Sequence, residues 1–267
     1  SCSEAVSISF IAKTRRIFDE RLSIHRTVFG YGAPFDYLSH MNLKPNISLV
    51  PWQNIDTVLL DMDGTILDLN YDNRIFGHLL PAAFAKQNNL SVQSAQEQLH
   101  GHMMNLMGTM DFYSFDYWRD FTGLDMVDLH EQAAELICFL PGADRFLEQL
   151  ARCKKRVLIA TNADRQSLSI KEKALNLTAR VDEVISSHDY GVPKENDAFW
   201  HTLVDRTQLD PARTLFIDDT QRVLDAAKRF GIAKTLAVAY PDTQRPARET
   251  EGHQSFDHYD QLLPGLL

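Results

Sequence analysis

Four polar clusters follow four apolar runs of the chain, and their side chains are the ones that could do chemistry. The clusters are Asp61 to Thr65 after Thr57–Leu60, Thr161 and Asn162 after Arg156–Ala160, Lys194 after Val181–Ile185, and Asp218 with Asp219 after Thr214–Ile217. Ligands of an open parallel sheet bind outside the carboxyl ends of its strands, so we expect the four clusters to meet at one site. Carboxylates, a hydroxyl, an amide and an ammonium together suit Mg²⁺ and a phosphate group.

Asp61 and Asp63 stand two residues apart at the end of a strand, and Gly64 follows them. Residues two apart in a strand aim the same way, and glycine permits a tight bend. One carboxylate can attack phosphorus and form an aspartyl-phosphate, while a second can protonate the leaving oxygen and then activate water. The pattern predicts Asp61 as the nucleophile and Asp63 as the general acid and base. The alternative is a solvated turn that carries two acids.

Asp218 and Asp219 are adjacent acids that close a strand and open the predicted helix Gln221–Phe230. Adjacent buried carboxylates repel each other unless a cation lies between them. A hard cation with few protein ligands fits magnesium, so we expect these two acids to bind Mg²⁺. Capping of the helix by Asp219 or Thr220 is the alternative interpretation.

Thr161, Asn162 and Lys194 are candidates for binding a phosphate group. The hydroxyl, the amide and the backbone N–H groups at a strand-to-helix turn suit phosphate oxygens, although Asn162 could instead cap the next helix. Lys194 follows Gly191 and Pro193, which shape and stiffen its loop. We expect its ammonium to offset charge between Asp61, the phosphate and the second pair of acids, whereas an isolated lysine would be a solvated surface group.

Strands and helices alternate from Thr57 onward, which predicts βαβ units and a parallel sheet with right-handed crossovers. About 90 residues separate Asp61 from the strand that begins at Arg156, and inserted segments of that length are usually functional or separately folded. The predicted helical pieces of this insertion are 82–88, 92–101 and 126–138. The pattern therefore predicts an α/β core with a small helical cap over the crevice.

We expect three parts in the chain. Residues 1–40 form an N-terminal extension, poorly ordered or non-native; residues 41–72 and 139–267 form the core; and residues 73–138 form the cap. Met41 stands shortly before the first strong strand, so our hypothesis is that Met41 is the natural start. The alternative for the extension is a docking helix at 11–26.

Composition excludes several classes of protein. The 267 residues carry a net charge of −9 and no basic stripe, which argues against a nucleic-acid partner. No apolar stretch approaches the roughly 20 residues that a membrane span needs. The three cysteines form no CxxC pair, which favours a reducing cytoplasm without structural zinc or a disulfide framework. We therefore expect a cytoplasmic protein without a nucleic-acid or membrane partner, and the sequence assigns no oligomeric state.

The four clusters resemble, in order, the four motifs of the haloacid-dehalogenase-like (HAD) hydrolase superfamily. The run from Asp61 to Thr65 matches the first motif, Thr161 and Asn162 the second, Lys194 the third, and Ile217 to Thr220 the fourth. The resemblance covers about residues 55–239. It implies a Rossmann-like core of parallel sheet and flanking helices, with a helical C1-type cap inserted after the first strand.

The same resemblance implies roles for the acids. Asp61 would accept the phosphoryl group, Asp63 would act as acid and base, and Mg²⁺ would be held by Asp61, the Asp63 backbone carbonyl and the acids of the fourth motif. Many relatives carry a GDxxxD fourth motif, whereas this chain has adjacent acids and places Val223 at the later acidic position. Asp219 aligns best with the family ligand, and the departure leaves open which of Asp218 and Asp219 binds metal directly.

A narrower resemblance is to the bacterial GMP/IMP nucleotidase subfamily. It rests on the segments 52–60, Leu67–Leu69, Phe115–Trp118, Gly191–Glu195 and Arg213–Asp219. It implies Mg²⁺-dependent hydrolysis of the purine nucleoside 5′-monophosphates GMP and IMP through an aspartyl-phosphate. A sugar phosphatase or phosphomutase of the same superfamily would use the same clusters, and a non-catalytic binding protein that has kept the fold is the remaining alternative.

The predicted cap is rich in aromatic residues, which can stack on a purine at about 1–3 kcal/mol per base. We put forward Tyr71, Tyr113 and Trp118 as base contacts, although a small cap also needs aromatic residues for its own core. Three arginines are candidates for binding substrate anions: Arg74, Arg119 and Arg165.

Overall fold

The structure is a computed structural model that describes residues 48–266. The expectations for residues 1–40 and for Met41 lie outside the described residues. No helix in the described part of the chain is long and apolar enough to cross a membrane.

Within residues 48–266, one parallel sheet of six strands forms the centre of the fold. The strands are β1 (Thr57–Leu60), β2 (Arg156–Thr161), β3 (Glu183–Ser186), β4 (Thr214–Asp218), β5 (Lys234–Val238) and β6 (Ser255–Phe256). Their order is β3-β2-β1-β4-β5-β6, and every neighbouring pair is parallel. The chain order reverses direction between β1 and β4, so the ends of these two strands flank the crevice where ligands of such sheets bind.

The strands are apolar because both faces of the sheet are covered. Val58 and Leu60 pack into one core cluster and Leu59 into the other, and all three are fully buried. Successive strand residues point to opposite faces, so a strand covered on both sides appears in sequence as a continuous apolar run. This is why the bounds of β1 match the predicted run Thr57–Leu60.

In the part of the chain that the structure describes, four helices cover the sheet, two on each face. They are α7 (Ala143–Arg152), α8 (Arg165–Leu175), α9 (Asp197–Thr207) and α10 (Gln221–Phe230). Buried residues of α7 and α8 belong to the same cluster as Val58, whereas those of α9 and α10 belong to the cluster of Leu59. The result is the predicted α/β Rossmann-like core of three layers, and α10 has the predicted bounds.

Helices fill most of the segment between β1 and α7, and we call residues 70–136 the helical insertion. Its helices are α1 (Asn70–Arg74), α2 (Leu80–Asn88), α3 (Val92–Leu106), α4 (Met110–Tyr113), α5 (Phe115–Thr122) and α6 (Met126–Glu131). A π-helical turn, Ile75–Leu79, joins α1 to α2. The division of the chain into a core and a cap at 73–138 stays a prediction.

The predicted helix at 126–138 ends earlier in the structure, at Glu131, and a short 3₁₀ turn, Ala134–Leu136, follows it. The reason lies in tertiary pairing. Asp68 N donates to Cys138 O at 3.0 Å, and Leu140 N donates to Ile66 O at 2.9 Å. The chain from Cys138 onward is therefore extended beside the segment that leaves β1, and a helix cannot continue into it.

We predict that Phe146→Ala lowers the free energy of unfolding by about 3–5 kcal/mol, because it removes a large ring from a packed core. Phe146 is fully buried on α7, with its ring 6.2 Å from that of Trp52 and 5.1 Å from that of Tyr259. The matched control is Phe121→Ala, at a residue that is 42% exposed, and we expect a loss of about 1 kcal/mol or less. Urea denaturation measures both, and equal losses would contradict the assigned core.

Candidate active site

The ends of β1, β2 and β4 lie side by side and bring the predicted residues together. Leu60 pairs with Ile159 of β2 and Ile217 of β4, and Asp61 N donates to Ile217 O at 2.9 Å. A cavity of about 370 Å³ opens at this edge of the sheet. Its lining includes five predicted residues: Asp61, Asp63, Thr161, Asn162 and Lys194.

The other two predicted acids, Asp218 and Asp219, do not line the cavity but contact residues that do, Lys194 and Arg248. Carboxylate oxygens of Asp61, Asp218 and Asp219 lie within 4.8 Å of one another, and all three residues are buried. Burial, reinforced by the charge of Asp61, raises the pKa of Asp219 to about 6 and raises that of Asp218 well above its usual range. A buried set of oxygen ligands whose charges repel is the donor set that a hard divalent cation prefers, so these residues fit such an ion.

Lys194 places a positive charge between two of these acids, Asp61 and Asp218. Its side chain is 2% exposed, and Nζ lies 2.6 Å from Asp61 Oδ1 and 2.8 Å from Asp218 Oδ2. Burial lowers the pKa of this lysine, but the carboxylates of Asp218 and Asp61 outweigh burial, and the net shift is upward. The ammonium is therefore a permanent charge between the two strands.

Asn162 holds the loop that carries Lys194. Its Oδ1 accepts the Lys194 backbone N–H at 2.9 Å, and its Nδ2 donates to Glu195 Oε2 at 2.9 Å. Thr161 Oγ1 accepts the Ala163 N–H at 3.0 Å, which leaves the hydroxyl hydrogen available. The structure therefore uses the Asn162 amide to position the lysine loop, a use that the sequence did not indicate.

Asp63 meets a buried lysine that sequence reasoning missed. Lys171, on α8, is 1% exposed, and its Nζ lies 2.7 Å from Asp63 Oδ1 and 3.0 Å from Asp72 Oδ1. Burial raises the pKa of Asp63 to about 7, against the opposing charge of Lys171. The nucleophile candidate and the acid candidate thus each face a different buried ammonium.

A second residue that the sequence did not indicate is Arg248, from the polar segment after β5. Its Nη1 donates to Asp219 Oδ2 at 2.7 Å, and it lines the cavity. Asp219 Oδ1 accepts from Thr220 Oγ1 at 3.0 Å. Asp219 is therefore oriented from both sides, once by its neighbour on the chain and once by the distant arginine.

Comparisons with known proteins agree on the family. Residues 55–231 match the family model described as haloacid dehalogenase-like hydrolase. The chain is 36% identical over 218 residues to the GMP/IMP nucleotidases YrfG of Escherichia coli (strain K12) and Shigella flexneri, which covers 82% of this chain and 98% of each relative. The chain belongs to the haloacid dehalogenase-like hydrolase family.

Solved structures agree with this assignment at the level of the fold. A HAD phosphatase from Thermococcus onnurineus matches with a TM-score of 0.67 at 18% identity, over 78% of this chain and 96% of that chain. The cluster of Asp61, Asp218 and Asp219 therefore lies on a HAD-like core, at the edge of the sheet where its strands end.

Apolar side chains from the helical insertion form much of the lining of the cavity. They include Phe76, Met103, Met107, Phe112 and Phe115. Of the aromatic residues predicted to contact a base, Tyr113 lines the cavity, and its hydroxyl donates to Glu195 Oε1 at 2.9 Å.

The other two predicted base contacts lie in the core of the insertion, and that prediction is wrong for them. The Tyr71 hydroxyl lies 3.0 Å from His130 Nδ1, and Trp118 Nε1 donates to Phe112 O at 2.9 Å. Both side chains are almost fully buried because they pack the insertion itself.

The three candidate arginines do not line the cavity of this HAD-like core. Arg119 pairs with Asp116 and Asp120 on the surface, and Arg165 pairs with Asp189. Among the described residues, Arg248, far along the chain, is the arginine that lines the cavity.

Gly64 gives a test of how closely the acids must fit. It has φ +80°, and a Cβ there would lie 2.7 Å from Asp219 Oδ2. We predict that Gly64→Ala weakens Mg²⁺ binding about 10–100-fold, the usual cost of displacing a group that orients a metal ligand. Isothermal titration calorimetry with Mg²⁺ measures the effect.

The matched control is Gly231→Ala. Gly231 has φ +109° and no heavy atom within 4 Å of the added Cβ, so it carries the backbone strain without the clash. We expect this variant to lose stability and to bind Mg²⁺ as the parent does. Equal affinities in both variants would contradict the close fit at Asp219.

Proposed function

We propose that the protein is a Mg²⁺-dependent phosphomonoesterase that hydrolyses the purine nucleoside 5′-monophosphates GMP and IMP through an aspartyl-phosphate on Asp61. The observation that carries the proposal is the arrangement of Asp61 and Asp63 in one cavity, each beside its own buried lysine. The choice of substrate is supported by the relatives named GMP/IMP nucleotidase, which the chain matches over 98% of their length.

Asp61, Asp218, Asp219 and the backbone carbonyl of Asp63 would hold the magnesium ion. When bound, Mg²⁺ supplies Lewis-acid stabilisation of the negative charge on the transferred phosphoryl group. The remaining chemistry belongs to the side chains of the chain.

In the first half of the reaction, an Asp61 carboxylate oxygen attacks phosphorus and the bond from phosphorus to the ribose 5′ oxygen breaks. Asp63 donates its proton to that oxygen, so the nucleoside leaves as a neutral alcohol. Thr65 Oγ1 donates to Asp61 Oδ2 at 3.3 Å, and Lys194 holds Oδ1, so the nucleophile has a fixed orientation before substrate binds.

In the second half, water attacks the phosphorus of the aspartyl-phosphate while Asp63, now ionised, takes its proton. The bond between phosphorus and the Asp61 oxygen breaks, which releases inorganic phosphate and restores both carboxyl groups. Lys194 offsets the charge on the phosphoryl oxygens, and the free hydroxyl hydrogen of Thr161 donates to one of them.

The apolar wall of the cavity suits a purine ring. Phe112 and Phe115 offer aromatic surface for stacking, and Met103 and Met107 adapt to irregular gaps. Because these side chains come from the helical insertion and the acids come from the strand ends, the base would lie against the insertion while the phosphate lies on the core.

We predict Mg²⁺-dependent phosphate release that is concentrated on GMP and IMP. The measurement is phosphate release from a panel of nucleoside monophosphates and sugar phosphates, with Mg²⁺ and with EDTA. EDTA is expected to abolish release, because it removes the ion that would stabilise the negative charge on the transferred phosphoryl group.

The controls of this panel separate the rival functions. Release spread over sugar phosphates would contradict the nucleotide assignment and favour a sugar phosphatase or a phosphomutase. Absence of release from every substrate would contradict the phosphomonoesterase and favour a binding protein.

A further inference from the structure

Lys171 is a buried charge that the reaction described so far does not use. It lies on α8 with 1% of its side chain exposed, and its aliphatic stem and ammonium are among the largest groups that the core encloses. Replacing a buried ion pair by apolar residues of similar size is often neutral or stabilising. Stability alone therefore does not account for a lysine at this position.

Three separate parts of the fold meet at this ammonium. Asp63 comes from the turn after β1, Lys171 from α8 of the core, and Asp72 from α1 of the helical insertion. Nζ lies 2.7 Å from Asp63 Oδ1 and 3.0 and 3.3 Å from the two oxygens of Asp72. All three residues line the cavity.

The side chain of Asp63 is restrained by its ion pair with Lys171. Among residues 48–266, Lys171 is the ion-pair partner of the Asp63 carboxylate. Asp72 is a second ion-pair partner of the ammonium, and the Tyr71 ring centroid lies 5.3 Å from Nζ. The ammonium is thus fixed by groups other than Asp63, and Asp63 takes its direction from the ammonium.

We propose that Lys171 is a positioning residue that holds the Asp63 carboxyl group within reach of the leaving oxygen, with Asp72 as its anchor in the helical insertion. The inference rests on the proposed function, because Asp63 needs this orientation only if it transfers a proton to and from the reacting groups. Misplacement of a catalytic group by about 1 Å costs roughly 10²-fold in rate.

The consequence depends on the leaving group of the substrate. The ribose 5′ oxygen of GMP must be protonated as it departs, whereas p-nitrophenolate departs without a proton. Loss of the Asp63 orientation therefore slows the first half of the reaction with GMP far more than with p-nitrophenyl phosphate. The ratio kcat/KM reports this first half, because formation of the aspartyl-phosphate releases the alcohol.

The test compares Lys171→Met with Lys173→Met, in full-length protein with Mg²⁺. Lys173 lies two residues further along α8. Its side chain is 81% exposed, and its Nζ lies 3.8 Å from Glu131 Oε1. We expect Lys171→Met to lower kcat/KM for GMP about 10²-fold and that for p-nitrophenyl phosphate less than about tenfold, and Lys173→Met to change neither. An equal loss for both substrates, or no loss, would overturn the proposal.

A second variant, Asp72→Asn, keeps the proposal testable if Lys171→Met does not fold. It leaves Lys171 on Asp63 and weakens the anchor, so we expect a fall of about tenfold in kcat/KM for GMP and a smaller fall for p-nitrophenyl phosphate. Equal kcat/KM values in the variant and the parent for both substrates would overturn the role of Asp72 as anchor.

A structural readout separates this inference from the proposed function. The measurement is a crystal structure of the parent and one of Lys171→Met, both with Mg²⁺ and without substrate. These structures would report the position of the Asp63 side chain independently of any catalytic activity. We expect the carboxyl group to leave its position beside residue 171 in the variant. An unchanged Asp63 side chain would overturn the positioning role, whereas failure of the phosphate-release panel alone would overturn the proposed function.

Discussion

The buried ammonium of Lys194 is the interaction on which the rest of the site depends. Two strands, β1 and β4, end in carboxylates that are withdrawn from water, and like charges in such a place destabilise one another. Nζ lies between Asp61 and Asp218 at 2.6 and 2.8 Å, and Asn162 fixes the loop that delivers it. A divalent cation among the same oxygens would complete the charge balance, so the strand ends are arranged for a metal and an anionic substrate together.

The cavity contains a second buried lysine, Lys171, and each of the two lysines contacts a different candidate catalytic acid. Lys194 belongs wholly to the core and faces the nucleophile candidate Asp61, whereas Lys171 faces Asp63 and reaches Asp72 of the helical insertion. The insertion therefore contributes more than an apolar wall, because its Asp72 contacts Lys171, which in turn contacts the candidate acid Asp63. This arrangement explains physically how a segment inserted between β1 and β2 can influence chemistry at the strand ends.

Much of the fold and of the candidate site could be predicted from the sequence. Most of what could not be predicted depends on contacts between segments that are far apart in the chain. Strands buried on both faces leave continuous apolar runs, so β1 and the site residues at the strand ends were predictable. The strand β6, Ser255–Phe256, has two residues and shows no period. Lys171 lies between Leu168 and Leu175 on one side of α8, so its place on a buried stripe was visible, but its partners Asp63 and Asp72 were not. Arg248 reaches Asp219 only through tertiary folding.

The central claim is that Asp61 carries the phosphoryl group, and the phosphorylated residue can be mapped directly. Asp63→Asn should still react with p-nitrophenyl phosphate, whose leaving group needs no acid, but it should activate water poorly. After an acid quench, peptide mass spectrometry should then find phosphate on the peptide that contains Asp61, and Asp61→Asn should remove it. Phosphate on another residue, or rapid turnover by Asp61→Asn, would contradict the account.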